Sequence, residues 1–393
     1  MPLKSPANGR RQVIMAFELM SGNQAAATAV QRADVDLIAA YPITPQTAIV
    51  EALANFAAKG ELRGEFVSVE SEYSALSCCN GAAAAGARVF TATASHGLAY
   101  MHEMIHWCSG ARLPVVMVNV NRAIGAPWCL DPDQGDSLSQ RDTGWIQIYC
   151  AGAQEVFDTI LQAFVLAEEI LLPCMIVYDG FYISHTYEAI DVPDSETSAC
   201  FVGRPSFKAE VVPGGPANIH GLTPSESFHR LAGKSHRDMI SAGDHFKNIN
   251  ERFAKVFGRR YGCIETCVPR GAKNIIITAG AIAETVRWKL PELPGTGLIQ
   301  VRMFRPFPAA EIRAALKESI EKIIVIDRNC SAGAGGIFGQ ELKAALYEME
   351  DKPALVNLIL AGGIDLTAEM LEEICRMPAE RGTVTEKWGM DLS

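Results

Sequence analysis

The chain has 393 residues, of which 49% are hydrophobic, and its formal net charge is -10. This length predicts about two to three domains with substantial cores. An acidic balance without a lysine or arginine run argues against nucleic acid as the main partner, and no stretch approaches the ~18 uninterrupted apolar residues of a membrane span.

The first predicted elements are a strand at residues 13–18, a helix at 22–32 and a strand at 36–40. Twin arginines precede an apolar run near the start, which is the pattern of an export signal. However, Glu18 interrupts the run and no cleavage-like ending follows. We therefore favour a chain terminus that leads into a strand.

The sequence YPITPQT follows at residues 41–47. Two prolines around Thr44 force an extended, rigid turn, so this threonine is presented at the carboxyl end of a strand with little freedom. Rigid presentation favours contact with a ligand. The alternative is that the prolines only end the strand and that Thr44 caps the helix starting near residue 47.

The stretch at residues 70–97 begins with an acidic pair that includes Glu72, and a helix at 71–87 follows. This helix contains six alanines and two glycines, so it can lie very close to a ligand or a partner. The apolar, β-branched run at 89–94 is typical of a strand buried on both faces of a parallel sheet. It ends where open α/β sheets bind ligands, at a turn formed by Ser95, His96 and Gly97.

A helix at 98–108 and a buried strand at 114–120 come next, and Arg122 stands directly after that strand. This position again lies at the ligand edge of the sheet, and a guanidinium suits bidentate binding of a carboxylate. The alternative is an ordinary ion pair with one of three carboxylates further along the chain: Asp131, Asp133 or Asp136.

The irregular segment at 125–140 is too long for a plain connection, so it is expected to line a site in which Trp128 walls a pocket. The chain then returns to the sheet at 141–149. An amphipathic helix at 154–171 and a strand at 174–178 complete the first domain.

The pattern changes between residues 191 and 272, where prolines and glycines come first and a long amphipathic helix is predicted later. We interpret this region as a linker that wraps the domains. From residue 273 onward, strands and helices alternate again, which predicts a second parallel α/β domain. Its strands are expected at 274–278, 298–302, 323–326 and 355–360, and its helices at 282–288, 309–319, 336–348 and 367–375.

The sequence HEMIH at 102–106 fits the pattern in which two histidines one helical turn apart bind zinc beside a glutamate base. Its helix lies inside a parallel-sheet domain, and no later segment offers an obvious third ligand. We therefore favour histidines satisfied within a helix or a subunit interface, with no metal site in this chain. A zinc-dependent hydrolase is the alternative hypothesis.

The sequence GAGGIFG at 333–339 resembles a dinucleotide-binding loop. Its last glycine is one residue late, and it follows the third strand of its domain instead of the first. We interpret it as a site of tight helix packing.

Eleven cysteines are scattered along the chain without any Cys-x-x-Cys pair. This distribution fits a reducing cytoplasm better than a disulfide framework. Any iron-sulfur cluster is therefore expected on another chain.

Taken together, the motifs resemble the alpha subunit of 2-oxoacid:ferredoxin oxidoreductases of the pyruvate type. The resemblance rests on YPITPQT at 41–47, ESE at 70–72, GAAAAGA at 81–87, TATASHG at 91–97, Arg122, RDTGW at 141–145 and DGF at 179–181. It continues through RPFP at 305–308, DR at 327–328 and GG at 362–363. It covers nearly the whole chain and weakens only between about residues 191 and 272.

The resemblance implies a thiamine diphosphate enzyme with an α/β fold. A pyrimidine-binding domain with a doubly wound parallel sheet is expected at 1–190, a linker and wrapping segment at 191–272, and a transketolase C-terminal-like α/β domain at 273–393. The implied reaction is the oxidative decarboxylation of a 2-oxo acid to its acyl-CoA.

The resemblance also implies roles for single residues. Glu72 is placed like the catalytic glutamate of the family and would share a proton with the aminopyrimidine ring of the cofactor. Thr44 and Arg122 match positions that hold the substrate, and Trp128 is expected beside them. The other residues expected to contact the cofactor are Pro42, Ile43, Ser95, His96 and Gly97.

Partner chains are implied by what the sequence lacks. It contains no Gly-Asp-Gly followed by paired asparagines, which is the usual anchor for Mg²⁺ and diphosphate, and no cluster-binding cysteine set. A beta subunit is therefore expected to complete the cofactor site and to hold Mg²⁺. Gamma and iron-sulfur (delta) subunits, coenzyme A as co-substrate, and ferredoxin or a flavin/NAD subunit as electron acceptor complete the expected system.

The substrate stays open on these grounds. It is expected to be pyruvate or an aromatic or branched 2-oxo acid such as phenylglyoxylate, because the segment with Trp128 departs from the pattern of pyruvate enzymes. Besides the zinc hydrolase, a non-catalytic assembly subunit is the other alternative.

Overall fold

The computed structural model describes residues 15–205, 207–212, 214–215, 221–317 and 319–392. These residues form two α/β units, each built around a sheet of mostly parallel strands, so the predicted α/β fold is confirmed. The candidate export signal and the first residues of the strand predicted at 13–18 lie outside the described residues.

The strands of the first unit follow the predicted alternation with helices. Their bounds are β1 (Met15–Ser21), β2 (Leu37–Ala40), β3 (Glu65–Ser68), β4 (Val89–Thr93), β5 (Val116–Asn121), β6 (Ile146–Tyr149), β7 (Cys174–Asp179) and β8 (Tyr187–Pro193). Strands β2 to β7 form one parallel sheet in the spatial order β6–β7–β5–β4–β2–β3. Strands β4, β5 and β7 are buried along their whole length, because both faces of the sheet are covered.

Helices cover the two faces of this sheet. They are α1 (Gly22–Arg32), α2 (Thr47–Ala58), α3 (Glu72–Ala84), α4 (Ser95–Tyr100), α5 (His102–Gly110), α6 (Gly135–Leu138), α7 (Ala153–Ile170), α8 (Ser195–Val202) and α9 (Ser225–Phe257). Buried side chains of α1, α2, α7 and α9 share one core with the sheet. Helices α3 and α5 contribute to a second core, which also contains side chains of the second unit.

Strand β1 leads directly into α1, as predicted, but it does not join the parallel sheet. It pairs antiparallel with β8 in a separate two-stranded ribbon. Ser21 and Gln24 form a reciprocal capping box at the start of α1. The capping box stabilises the direct change from strand to helix.

Helix α9 is the long amphipathic helix predicted between residues 191 and 272. Phe246, Ile249 and Phe253 are buried, as expected for its apolar face, whereas Ile240 and Val256 are exposed. Only positions three or four residues apart share one face of a helix, so not every apolar residue of the segment reaches the core.

The second unit contains a sheet with the spatial order β15–β14–β13–β10–β11–β9, in which β9 runs antiparallel. Its strands are β9 (Ile264–Cys267), β10 (Asn274–Thr278), β11 (Thr296–Val301), β13 (Lys322–Asp327), β14 (Ala354–Ile359) and β15 (Val384–Trp388). The helices are α10 (Ala281–Lys289), α11 (Ala309–Ala315), α12 (Ile337–Ala345) and α13 (Ala368–Arg376).

The two sheets do not divide the chain at one point. Strand β9 precedes residue 273 yet belongs to the second sheet, whereas β12 (Met303–Arg305) follows it and pairs antiparallel with β6 at the edge of the first sheet. The domain ranges 1–190, 191–272 and 273–393 therefore stay a prediction.

The glycine-rich segment at 333–339 packs tightly, as expected. The Asp327 carboxylate accepts hydrogen bonds from the N–H groups of Phe338 (2.9 Å) and Gly339 (3.0 Å) in the first turn of α12. A Cβ atom at Gly336 would lie 2.2 Å from Oδ2 of Asp327. A carboxylate of the chain itself thus occupies the helix N-terminus, where a dinucleotide would place its phosphates.

All eleven cysteines are free thiols, which agrees with the expectation that the chain has no disulfide framework. Among the described helices, none combines the length and the apolar character needed to cross a lipid bilayer.

Arg88 and Glu168 form a buried ion pair between the start of β4 and α7. The guanidinium contacts both carboxylate oxygens, at 2.6 and 2.9 Å, and only 1% of Arg88 and 6% of Glu168 are exposed. Arg88 also donates to the carbonyls of Ala33 and Gly203, which follow α1 and α8. This guanidinium therefore joins three helices to the sheet.

We expect Glu168→Ala to lower the free energy of unfolding by about 3 to 5 kcal/mol, because it leaves a buried guanidinium without its counter-charge. Urea unfolding followed by circular dichroism measures the change. Arg63→Ala is the control, since Arg63 is exposed and its ion pairs with Asp34 and Asp36 contribute at most about 1 kcal/mol. Equal effects of the two substitutions would contradict this interpretation.

Candidate active site

Three predicted site segments meet at the carboxyl ends of β2, β4 and β5, the edge where parallel α/β sheets bind ligands. Arg122 joins them. Its Nη1 donates to the carbonyl of Thr44 (2.6 Å), 78 positions away, and its Nη2 lies 3.1 Å from Nδ1 of His96. The structure therefore brings together residues that the sequence placed only at strand ends.

Glu72 is the first residue of α3, which is capped by Ser71. Its side chain is only 8% exposed, and no protein donor within the described residues hydrogen-bonds to its carboxylate. A Cβ atom at Gly97 would lie 2.6 Å from both Oε1 of Glu72 and Oγ1 of Thr93, so only glycine fits there. A buried carboxylate with free acceptor sites thus faces the turn that starts α4.

That turn is held in place from the β5 side. Ser95 has a left-handed backbone conformation, with φ +47°, which is uncommon for a residue with a side chain. Its hydroxyl donates to the carbonyl of Ala123 (2.7 Å), and its N–H donates to Oδ2 of Asp136 (2.9 Å). The N–H of Gly125 donates to Nε2 of His96 (3.0 Å), so the next residue of the turn is fixed as well.

Two amide side chains hold the turn after β2 in place through hydrogen bonds to backbone carbonyls. Gln46 donates through Nε2 to the carbonyl of Ala92 in β4. Asn23 donates through Nδ2 to the carbonyl of Pro45 (2.8 Å). The turn is therefore tied both to the neighbouring strand and to α1.

Thr44 does not cap the following helix, so the capping alternative is wrong. The N-cap residue of α2 is Gln46, and its side chain makes no capping bond. Thr44 and Pro42 are exposed and Ile43 is half-buried. The predicted contact residues of this turn thus lie on its accessible side or just beneath it.

Arg122 is buried, with 5% of its surface exposed. In the part of the chain that the structure describes, its guanidinium forms none of the ion pairs weighed as the alternative, and its Nε has no partner. Burial lowers the pKa of this guanidinium, and the nearby charges of Asp136 and Glu72 oppose the change. A buried cation of this kind is suited to an anionic ligand.

The carboxylate of Asp136 is the centre of a network that the sequence analysis missed. Its Oδ2 accepts hydrogen bonds from the N–H of Ser95 (2.9 Å), Nδ2 of Asn119 (3.1 Å) and the N–H of Arg122 (3.2 Å). Its Oδ1 accepts from Nδ2 of Asn121 and the N–H of Ser137 (2.7 Å). Burial raises the pKa of Asp136 to about 6, although these donors oppose the shift.

A signal for this network was present in β5, whose sequence is VMVNVN. Two asparagines alternate with valines there, and residues two apart in a strand share one face. Two buried amides on one face require partners. The sequence suggests Asp136 only as an ion-pair partner for the Arg122 side chain, whereas the structure shows it bound to the Arg122 backbone N–H.

The segment at 125–140 connects the site to the second unit. Asp133 accepts a hydrogen bond from the N–H of Gly362 (2.7 Å), and Cys129 Sγ lies 3.6 Å from the carbonyl oxygen of the same glycine. The segment starts beside the site, because a Cβ atom at Gly125 would lie 3.5 Å from both Nε2 of His96 and Cα of Trp128. Trp128 itself is 69% exposed, so it does not form the wall of a closed pocket among the residues that the structure describes.

The HEMIH segment forms the start of α5, and its side chains have protein partners. His102 Nδ1 lies 2.6 Å from Oε1 of Gln140, and the rings of His102 and His106 pack edge to face with centroids 4.9 Å apart. Glu103 accepts a hydrogen bond from the indole of Trp107 (3.2 Å). Among the described residues, no group of three or more histidine, cysteine or acidic side chains is arranged to hold a metal ion.

Two protein-family models together match most of the chain. Residues 28–251 match the family described as pyruvate flavodoxin/ferredoxin oxidoreductase, thiamine diphosphate-binding, and residues 272–371 match pyruvate:ferredoxin oxidoreductase core domain II. The first match covers more than half of the chain. It contains every residue assigned to the candidate site.

Individual relatives are similar over nearly their full length. The pyruvate synthase subunit PorA of Methanothermobacter thermautotrophicus is 39% identical over 370 residues, which are 92% of this chain and 95% of the relative. The ketoisovalerate oxidoreductase subunit VorA of Pyrococcus abyssi is 42% identical over 364 residues, or 91% of this chain and 92% of the relative.

A solved structure shares the fold. The 2-oxoglutarate:ferredoxin oxidoreductase of Magnetococcus marinus superimposes with a TM-score of 0.69 at 20% identity, covering 91% of this chain and 64% of that longer chain. This chain thus spans less than two thirds of that enzyme chain. The two family matches together, and each of the two relatives, cover most of this chain. The chain therefore belongs to the 2-oxoacid:ferredoxin oxidoreductases, thiamine-dependent enzymes that oxidatively decarboxylate 2-oxo acids, and it corresponds to their alpha subunit.

Proposed function

We propose that this chain works in a thiamine diphosphate-dependent complex that converts a 2-oxo acid to its acyl-CoA and passes the electrons to iron-sulfur clusters on partner subunits. The observation that carries the proposal is the buried Glu72 carboxylate, which has no donor within the described protein and faces Gly97. The names of the relatives, pyruvate synthase and ketoisovalerate oxidoreductase subunits, support a 2-oxo acid as substrate.

The residues around Glu72 fit an aminopyrimidine ring. A buried carboxylate without a donor suits a ring nitrogen that carries a proton, because an unmet acceptor in a buried position is costly. The backbone of Gly97 packs directly against the carboxylate, and the Thr93 hydroxyl, which has no partner among the described residues, offers a further polar contact. The residues proposed to border the cofactor are Pro42, Ile43, Ser95, His96 and Gly97.

When bound, thiamine diphosphate would supply an acidic ring carbon that becomes a nucleophile once its proton has been removed. Glu72 holds the proton that passes between its carboxylate and the pyrimidine nitrogen, which is general acid–base catalysis at a fixed position. Its burial limits competition from water for that proton.

Arg122 and Thr44 are proposed to hold the substrate. The Arg122 guanidinium is buried at the end of β5 and contacts the Thr44 carbonyl directly. It can therefore bind the substrate carboxylate while Thr44 contacts a neighbouring oxygen. Trp128 is proposed to contact the substrate side chain, since the segment that carries it starts beside His96.

The proposed complex follows from the motifs that this sequence lacks. We propose that a beta subunit holds Mg²⁺ and the diphosphate and that beta, gamma and delta subunits share the remaining tasks, including the iron-sulfur clusters. Coenzyme A is the proposed co-substrate. Ferredoxin, or a flavin/NAD subunit, accepts the electrons, and the complex is expected to work in the cytoplasm.

In the assembled complex, Glu72→Gln is expected to lower kcat by about 10²- to 10⁴-fold, because glutamine cannot hold the transferred proton. Reduction of methyl viologen in the presence of a 2-oxo acid measures turnover. Glu70→Gln is the matched control. Glu70 is exposed and accepts a hydrogen bond from the Ser74 hydroxyl, so its loss should leave kcat within about twofold.

Circular dichroism and complex yield should be unchanged in both glutamine variants. Wild-type turnover in Glu72→Gln would contradict the proposal. A lower yield of complex with normal turnover per complex would favour a non-catalytic assembly subunit instead.

The isolated chain is expected to bind thiamine diphosphate at least about 100-fold more weakly than the assembled apo-complex does, because the contacts to Mg²⁺ and diphosphate lie on the partner. Calorimetric titration with Mg²⁺ present measures both affinities. Equal affinities would show that this chain holds the whole cofactor, against the proposed half-site.

Trp128→Ala is expected to change the ratio of kcat/KM between pyruvate and larger 2-oxo acids by about tenfold, because contacts to the substrate side chain determine that ratio. The panel is pyruvate, 2-oxoisovalerate, phenylglyoxylate and an arylpyruvate. Trp288→Ala removes another exposed tryptophan, in α10 of the second unit, and should leave the ratio unchanged. An unaltered ratio in Trp128→Ala would remove Trp128 from the substrate site.

A further inference from the structure

We propose that Asp136 is a positioning residue for the reaction, because its carboxylate fixes the turn that borders the cofactor relative to the guanidinium that binds the substrate. This inference rests on the proposed function of Glu72, Arg122 and the turn at 95–97. Asp136 acts through backbone groups and takes no part in proton transfer in this proposal.

One oxygen atom links two strand ends. Oδ2 of Asp136 accepts hydrogen bonds from the N–H of Ser95 (2.9 Å), after β4, and from the N–H of Arg122 (3.2 Å), after β5. Both donors belong to the backbone, so the bonds locate the chain itself instead of one rotatable side chain. The spacing between the two loops is therefore set by a single carboxylate.

Contacts made by the turn at residues 95–97 link the position of Asp136 to the candidate catalytic residue, Glu72. Ser95 has a left-handed backbone (φ +47°), a conformation that persists only where surrounding contacts hold it. His96 follows and contacts Arg122 through Nδ1 (3.1 Å). Gly97 comes next and packs against the carboxylate of Glu72. A shift of Ser95 would therefore displace both neighbours of the proposed site.

Asp136 is itself held by the core of the first sheet. Its Oδ1 accepts a hydrogen bond from the N–H of Ser137 (2.7 Å). The Ser137 hydroxyl lies 2.8 Å from the Tyr149 hydroxyl, and Gln147 donates to the Ser137 carbonyl (2.8 Å). Tyr149 and Gln147 are both buried in β6. The reference point for the two loops is therefore the rigid sheet and not a free loop.

Residues of the second unit bind the segment that directly precedes Asp136 in the chain. The N–H of Gln134 donates to the Arg328 carbonyl (2.8 Å), and Asp133 accepts from the N–H of Gly362 (2.7 Å). Asp133 and Gln134 directly precede α6, which contains Asp136. The site geometry thus depends on how the second unit is seated against this segment.

The test uses the assembled complex and a matched carboxylate in the second unit. Asp136→Ala is expected to raise both the KM for the 2-oxo acid and the dissociation constant for thiamine diphosphate by about tenfold or more, because small displacements of positioning groups are costly. Asp327→Ala removes an equally buried carboxylate that accepts backbone bonds from Phe338 and Gly339. It should lower the thermal midpoint of unfolding and leave both constants near the wild-type values.

Asp136→Asn removes the charge of the side chain but keeps its shape. The amide oxygen can still accept from Ser95 and Arg122. The new NH2 group replaces the oxygen that accepts from Asn121 and from the Ser137 N–H, so the Ser137 N–H loses its acceptor. The Asn121 amide oxygen, which has no partner among the described residues, can accept from the new NH2 group if the Asn121 amide rotates. Neutral bonds are weaker than charge-assisted ones, so we expect both constants to rise by about threefold, between wild type and Asp136→Ala. Asp327→Asn is the corresponding control.

Unchanged constants in folded Asp136→Ala complexes, whatever their stability, would overturn the inference. If Asp136→Ala does not assemble, Asp136→Asn decides: a rise of about threefold supports a positioning role and an unchanged value contradicts it. Glu72→Gln is assayed in parallel. Wild-type turnover in that variant would reject the proposed function, whereas an inactive Glu72→Gln with unaffected Asp136 variants would reject only the role of Asp136.

Discussion

Buried carboxylates that accept backbone N–H groups hold this molecule together at the edges of its sheets. A parallel arrangement gathers strand ends and helix N-termini at one edge, and each helix start leaves N–H groups without partners inside the helix. Three aspartates meet this need: Asp136 for Ser95 of α4 (2.9 Å), Asp179 for Ala281 of α10 (2.6 Å) and Asp327 for Phe338 of α12 (2.9 Å). Each buried charge is tolerated because several donors surround it.

Glu72 is the exception that gives the site its chemical character. It also stands at a helix start and is buried, yet no protein donor within the described residues satisfies it. Arg122 shows the complementary condition, a buried guanidinium whose Nε is unpaired there. Rigid loops hold an acceptor and a cation that both lack full satisfaction. These two groups are the basis of the proposal that a cofactor and a carboxylate substrate bind here, because preorganised polar groups stabilise charge better than mobile water does.

Both units contribute contacts that support the candidate site around Glu72 and Arg122. The chain leaves the second sheet after β11 and enters the first as β12, with Arg302 between them. Arg302 is buried and binds Glu155 (3.3 Å) and Thr159 (2.9 Å) of α7. Asp179, at the end of β7, binds the N-terminus of α10 in the other unit. Rigid seating of the units therefore fixes the loops that surround Glu72.

The sequence by itself determined the α/β alternation, the rigid turn at 41–47, the glycine turn at 95–97 and the position of Arg122 after a buried strand. These features are local, because periodicity, prolines and strand ends act over a few residues. Only the tertiary structure decided that β1 pairs with β8, that β12 completes the first sheet and that Asp136 binds the Ser95 and Arg122 backbones. Such contacts depend on which strands lie side by side and in which register, and nothing in the local pattern encodes that order.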